Sequence, residues 1–187
     1  YGDHRDLHSF PTRHSSDLKE LGPNEEGEVI IHGPQVFKGY WNRPEETESS
    51  FIEIDGKRFF RTGDIAYYDE EGYFFMVDRV KRMINASGFK VWPAEVESIL
   101  YKHPAVDQAV VIGTPDPTRG ETVKAFIILR ENSKGTVTEE DIIEWSKTQM
   151  SAYKYPRIVE FVNELPMSGS GKILWRKLQE REEQMQK

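Results

Sequence analysis

The chain has 187 residues, 37% of them hydrophobic and 30% charged, which fits one ordinary globular domain or two small ones. Its net charge of -7 disfavours a general nucleic-acid binder but still allows a local basic site for a small anion. Cysteine is absent, which excludes disulfides and thiolate metal sites; with no secretory leader and no apolar run of about 18 residues, the expectation is a soluble cytoplasmic protein without stable membrane insertion.

Residues 1–18, "YGDHRDLHSFPTRHSSDL", show neither a period of 2 nor one of 3.6, and they hold three of the five histidines. The run "LHSFPTRHSSDL" resembles the translation of a common sequencing-library adapter, with His14 where that translation has arginine. The segment is read as an assembly artefact, with a disordered natural terminus as the alternative, and neither reading gives it a function.

From Lys19 onward the pattern is globular. "GEVIIHG" (27–33) predicts a strand closed by glycine, and "GKRFFRTGDIAYYDEEGYFFMVD" (56–78) predicts aromatic-rich strands, the last two joined by the turn Asp69-Glu70-Glu71-Gly72. A charged stretch, "VDRVKRM" (77–83), follows; Asp78, Arg79, Lys81 and Arg82 make it a poor core strand and a good exposed linker, though a solvated strand end reads equally well. A hairpin around "RMINASGFKV" comes next, then a helix from Pro93 that stops near His103-Pro104, and the strand "QAVVIGT". The strand "TVKAFIILR" precedes a helix, "TEEDIIEWSKTQM", with Thr138 as N-cap and Asp141 as its capping-box partner. "RIVEFV" is a further strand, and residues 172–183 form the last predicted helix. Val96, Ile99, Leu100, Ile142, Ile143 and Trp145 recur at core spacing, and His103 reads as a helix terminus rather than a ligand. The fold class is α+β, a β-rich segment (19–80) followed by a mixed α/β domain (81–187) with a short central sheet flanked by helices.

"LPMSGSGKILWRKL" (165–178) tests for a phosphate loop and fails. The template G-x-x-x-x-G-K-[ST] needs a leading glycine where this chain has Pro166 and a hydroxyl where it has Ile173. What remains is Lys172 at the start of a predicted helix, where the dipole disfavours a cation by roughly 0.3–1 kcal/mol. No group of His, Asp and Glu has metal-site spacing, so no metal site is expected.

Four runs, "GEVIIHGPQVFKGYW", "RFFRTGDIA", "DRVKRMINASGFKVWPAEVE" and "LPMSGSGK", resemble in order and spacing the later core motifs of the adenylate-forming (AMP-binding) enzymes. "SGFKVWPAEVE" and "YKYPRIVEFVNELP" look most like the medium- and long-chain fatty acyl-CoA ligases among them. The resemblance implies that 19–80 is the end of a large N-terminal domain and 81–187 the small C-terminal domain. It also implies that the chain is a piece of an enzyme that makes acyl-CoA from a fatty acid, ATP and CoA, and is by itself catalytically incomplete. ATP brings its own Mg²⁺, CoA is the co-substrate, no nucleic acid is involved, and a homodimer is compatible.

By the same resemblance, Asp64 and Arg79 hold the nucleotide. Asp64 follows the predicted tight turn Thr62-Gly63 and accepts ribose hydroxyls, where a turn cap is the plain alternative; Arg79 offers a planar guanidinium to ribose or phosphate oxygens, where a solvated linker is. Lys81 falls on the hinge position; the family motif often has glycine before the arginine, where this chain has Asp78. Lys172 is the catalytic lysine, carried by the flexible loop "MSGSG" and neutralising charge between carboxylate and α-phosphate. Ser87, Gly88, Lys90 and Tyr155 match positions that contact CoA, with a hairpin glycine and a rim tyrosine as alternatives. An adenylation domain that loads a carrier protein, or a non-catalytic α+β module, stays open.

Overall fold

Apolar residues alternate along the first half of the chain to form one sheet and along the second half to form another. The structure, a computed structural model, describes the backbone of residues 8–12 and, in full, residues 20–185. The chain divides into two compact units, the first ending at Lys81 and the second starting at Arg82.

The first unit is a five-stranded antiparallel sheet of β1 (His8–Thr12), β2 (Gly27–His32), β3 (Phe51–Ile54), β4 (Lys57–Tyr68) and β5 (Phe74–Arg79), with a short helix, α1 (Pro44–Ser49), before β3. β4 is the central strand: β2 pairs along it, β3 pairs with its residues 57–60 and β5 with its residues 64–68. The β3–β4 turn is Asp55-Gly56, both at positive φ, the conformation that two-residue hairpins favour and that Asp-Gly adopts readily. At the predicted β4–β5 turn, the Asp69 carboxylate accepts the N–H groups of Glu71 and Tyr73 at 3.0 and 2.9 Å. Of the segment read as an artefact or a disordered terminus, residues 1–7 and 13–18 lie outside the described residues, while His8–Thr12 pairs antiparallel with β2. Backbone pairing asks little of side-chain period, so no alternation announced it.

The second unit is organised by the hairpin of β8 (Val106–Asp116) and β9 (Gly120–Leu129), joined by β6 (Ile84–Ala86), β7 (Phe89–Val91) and, parallel to β9, β10 (Ile158–Phe161). Successive side chains of β8 and β9 point to opposite faces, and both faces are buried. On one face Ala109, Val111, Val123, Ala125 and Ile127 pack with Val96 and Leu100 of α2 (Pro93–Leu100) and Ile142 of α3 (Glu139–Gln149). On the other, Val110, Ile112 and Phe126 pack with Leu165 and with Leu178 of α4 (Trp175–Met185). Trp145 is half-buried against the first cluster. α3 carries the full capping box: Thr138 Oγ1 accepts the Asp141 N–H at 3.2 Å and the Asp141 carboxylate accepts the Thr138 N–H at 2.9 Å.

Lys124 sits at mid-strand on the α4 face, 8% exposed, with Glu160 of β10 and Glu182 of α4 each 2.8 Å from its ammonium. Arg181 adds a 2.7 Å bond to Glu160. Burial works to raise the Glu160 carboxyl, but Lys124 and Arg181 outweigh it and leave the group below its usual range. Leu178 and Glu182, one turn apart on α4, thus face the same sheet, one filling space and the other meeting a charge.

His103 lies where α2 ends. Its N–H donates to the Leu100 carbonyl (3.0 Å), its Nδ1 accepts the Ala105 N–H (3.2 Å), and its ring meets Trp145 edge-on at 4.9 Å. Burial lowers its pKa from the ordinary 6.5, against the raising pull of Asp141.

Two stability measurements follow from these contacts. Lys124→Met leaves the buried Glu182 only the longer, 3.7 Å contact with Arg181 and is expected to lower the unfolding free energy by about 3 kcal/mol, with Lys124→Met/Glu182→Leu recovering most of the loss; urea unfolding reads both. Because the folded state holds His103 neutral, its contribution is present above the unfolded pKa and is lost as pH falls below about 6.5 toward the lowered folded value. Urea midpoints taken across that range should decline with acid in the native chain and flatten in His103→Gln.

Candidate functional site

Asp64 and Arg79 become neighbours through the register of β4 and β5. They face each other across the two strands, with Arg79 Nε 3.0 Å from Asp64 Oδ1. Thr62-Gly63 is not the tight turn expected from the sequence: it is a bulge inside the continuous strand β4, where β2 advances from Glu28 to Ile30 while β4 runs from Ile65 back to Arg61. Gly63 takes φ 72° there, which costs a residue with a Cβ roughly 1–2 kcal/mol. The bulge is held from within: Thr62 Oγ1 donates to the Val29 carbonyl at 2.7 Å and accepts the Asp64 N–H at 3.1 Å.

Glu28, which sequence reading passed over, completes this frame. It is 4% exposed, its Oε2 accepts two bonds from Arg61 at 2.7 and 3.1 Å, and its Oε1 accepts the Gly63 N–H at 3.2 Å. A carboxylate at a buried position of β2 was the available signal. Arg79 is 71% exposed, so its pairing with Asp64 is weak, and the Asp64 carboxylate keeps acceptor capacity for hydroxyl donors.

The expected exposed linker is shorter than the charged run suggested. Asp78 and Arg79 belong to β5, and only residues 80–83 lie before β6, the first three, Val80–Arg82, forming one 3-10 turn with Lys81 exposed. Arg82 is not a solvated linker residue. It is 16% exposed, 2.5 Å from Glu97 Oε1, and Glu97 also accepts the Val111 N–H at 2.9 Å. A partner fifteen positions away on another element is invisible to local pattern.

Ser87 and Gly88 form the two-residue turn of the β6–β7 hairpin, at φ 56° and 85°. Asn85 Oδ1 accepts the Gly88 N–H at 3.0 Å, and nothing lies within 4 Å of where a Gly88 Cβ would be. Lys90 is exposed opposite Asn85. The adjoining Phe89 is 54% exposed and stacks on Tyr153 at 4.6 Å, which ties the hairpin to the segment carrying Tyr155. The Tyr155 hydroxyl accepts a 2.7 Å bond from Arg157, whose guanidinium also lies over the ring at 4.6 Å. Phe89, Tyr153 and Arg157 were not singled out from the sequence, although the alternation in "YKYPR" placed Tyr153, Tyr155 and Arg157 at one parity.

Lys172 is not at a helix N-terminus. α4 starts at Trp175, and Lys172 lies in a narrow loop closed by the bridge between Met167 and Ile173. The Ser168 N–H donates to the Lys172 carbonyl (2.8 Å), the Gly171 N–H to the Ser168 carbonyl (2.9 Å), and the Lys172 N–H to Ser168 Oγ (3.1 Å). The predicted dipole penalty therefore does not apply, and "MSGSG" is a braced turn rather than a slack one. Ile173 and Trp175 anchor it to the α4 face of the sheet, whereas Ile84, Ala86 and Val91 anchor the 85–90 hairpin to the opposite face. Among the described residues no group of three His, Asp or Glu is placed to hold a metal ion, and no helix is long and apolar enough to cross a membrane.

Residues 95–172 match the AMP-binding enzyme C-terminal domain family. The long-chain-fatty-acid–CoA ligase of Bacillus subtilis (strain 168) is 47% identical over 170 residues, covering 90% of this chain and 29% of that protein. The structure of ATP-bound MatB from Rhodopseudomonas palustris superposes with a TM-score of 0.84 at 34% identity, covering 94% of this chain and 34% of that one. The chain belongs to the adenylate-forming superfamily.

The superfamily is broad even among similar sequences: a feruloyl-CoA synthase of Amycolatopsis sp is 44% identical over 152 residues, covering 81% of this chain and 30% of that protein. The chain spans less than a third of the length of these curated relatives. For an adenylate-forming chain, the bulge that presents Asp64 is the feature most open to a local test. Gly63→Ala meets no steric obstacle, so its expected destabilisation of roughly 1–2 kcal/mol is conformational alone. Gly63→Asn, which tolerates the left-handed region better, should cost less in the same denaturation experiment.

Proposed function

We propose that the protein to which this chain belongs is an ATP-dependent, AMP-forming ligase that joins a fatty acid to CoA. The observation that carries this reading is the 47% identity over 170 residues to a long-chain-fatty-acid–CoA ligase. In the first half-reaction a carboxylate oxygen attacks the α-phosphorus of ATP, the bond to the bridging oxygen breaks, and diphosphate leaves. In the second, the CoA sulfur attacks the acyl carbon, AMP leaves, and the thiol proton passes to solvent.

Each half-reaction has residues suited to it. Two anions must meet in the first, and the Lys172 ammonium, held on a turn with little slack, lowers their repulsion and the charge that develops between them. Mg²⁺ enters on the ATP phosphates. Asp64 accepts the ribose hydroxyls and Arg79, released from its weak pairing with Asp64, turns to ribose or phosphate oxygens. Lys81 is the hinge between the half-reactions. In the second, Gly88 lets the pantetheine arm approach the backbone, while Ser87, Lys90 and Tyr155 hold other parts of CoA. At under a third of the length of its relatives, the chain alone is expected not to complete a turnover.

An aromatic acid in place of a fatty acid is the second reading, favoured by the 44% identity to feruloyl-CoA synthase. Both are tested in the full-length protein by diphosphate release with short, medium and long fatty acids and with ferulic acid, each with and without CoA. Release that depends on a fatty acid and ends in acyl-CoA upholds the proposal. Dependence on ferulic acid moves the substrate to the aromatic class, release without a thioester points to carrier loading, and no release with any acid leaves a non-catalytic module. Lys172→Ala should reduce acid-dependent diphosphate release by roughly 10²–10³-fold while thioester formation from supplied acyl-adenylate stays near the native rate.

A further inference from the structure

The β6–β7 hairpin has only three residues in each strand, too few to hold a defined shape unaided. Its link to the main sheet is correspondingly thin, since Ala86 opposite Gly120 is the one residue pair joining β6 to β9. The turn it carries is also unfavourable, because Ser87 has a side chain and adopts positive φ. Something outside the hairpin must therefore keep residues 85–88 in shape.

That support comes from the start of β9. Glu121 Oε2 accepts the Asn85 N–H at 2.7 Å, and the Arg119 carbonyl accepts the Ser87 N–H at 3.0 Å. Asn85, so fixed, turns its own Oδ1 to the Gly88 N–H at 3.0 Å. The other Glu121 oxygen lies 3.1 Å from where a Cβ on Gly113 of β8 would sit, so the glycine there gives the carboxylate the room to lie across the strand toward Asn85. A side-chain carboxylate takes the place of ladder hydrogen bonds that the short β6 cannot make.

We propose that Glu121 is a positioning residue for thioester formation: by bonding the Asn85 N–H it holds the Ser87-Gly88 turn in the conformation that admits CoA, and it has no part in adenylation. This rests on the ligase reading above. Loss of the brace lowers the fraction of molecules with the turn formed, and the apparent affinity for CoA falls by that fraction.

The test is made in the full-length protein with CoA as the probe, the two half-reactions being measured separately. Glu121→Ala should raise the CoA KM roughly tenfold or more while leaving acid-dependent diphosphate release in the absence of CoA unchanged. Glu121→Gln keeps a carbonyl oxygen at the same reach and should restore most of the CoA affinity; Glu121→Asp keeps the charge but loses the reach and should behave like alanine. In the same variants, amide exchange at Asn85, Ser87 and Gly88 should quicken with alanine and aspartate and not with glutamine. Should Glu121→Ala fail to fold, the glutamine and aspartate pair carries the comparison. Equal loss in both half-reactions, or none in either, overturns the brace and leaves the ligase reading standing. A native protein that adenylates no acid defeats the ligase reading and this inference with it, and unchanged exchange at the three amides defeats the brace whatever the activity.

Discussion

Nearly every position of interest in the second unit depends on the pairing of β8 with β9. The ladder runs from Val106 opposite Leu129 to Asp116 opposite Gly120, and both of its faces are covered. In a sheet buried on both sides, slipping the register by one residue would send each side chain to the wrong helix layer. The alternation thus does more than bury apolar area: it decides that α2 and α3 lie on one side and α4 on the other. It also decides that the ammonium of Lys124 meets the carboxylate of Glu182 rather than the packing around Ile142. A buried charge of this sort adds little net stability but penalises any arrangement in which its partners are missing.

From this hairpin the two segments proposed above for separate half-reactions hang on opposite faces. The Lys172 loop is secured through Ile173 and Trp175, the 85–90 hairpin through Ile84, Ala86 and Val91. A domain that uses one segment and then the other must present different faces in turn, and the division is already made by which parity of β8 and β9 each segment packs against. The first unit follows a similar logic on a smaller scale. One long strand, β4, carries three partners, and its bulge places the Asp64 side chain beside Arg79 with Glu28 behind it.

What could be read beforehand was what is local. Thr138 and Asp141 lie three residues apart and their capping box needs no knowledge of the rest of the chain; the turn at Asp69 and the Ser87-Gly88 hairpin are of the same kind. The α+β class and the strands of the second unit came from alternation and helical spacing. The misreadings share another cause. Ile173, Leu174 and Leu178 have helical spacing and imply a helix at Lys172, but the bridge from Met167 to Ile173 and the left-handed Gly171 hold the chain in a loop until Trp175. Arg82 looked solvated because its partner Glu97 is on another element, and Thr62-Gly63 looked like a turn because a bulge and a turn use the same residues. Asp64 and Arg79 were each found through a resemblance, yet their contact is a product of register, which no single segment contains.

The short 3-10 connection has a mechanical consequence. Arg79 is the last residue of β5 and Arg82 is fastened to Glu97, so Val80 and Lys81 alone are left without an anchor on either side. With planar peptides each contributes two rotatable backbone bonds, about four torsions in all. For the hinge proposed at Lys81, so few degrees of freedom would favour a directed joint over a tether, its range set by local sterics at two residues and not by the length of a linker.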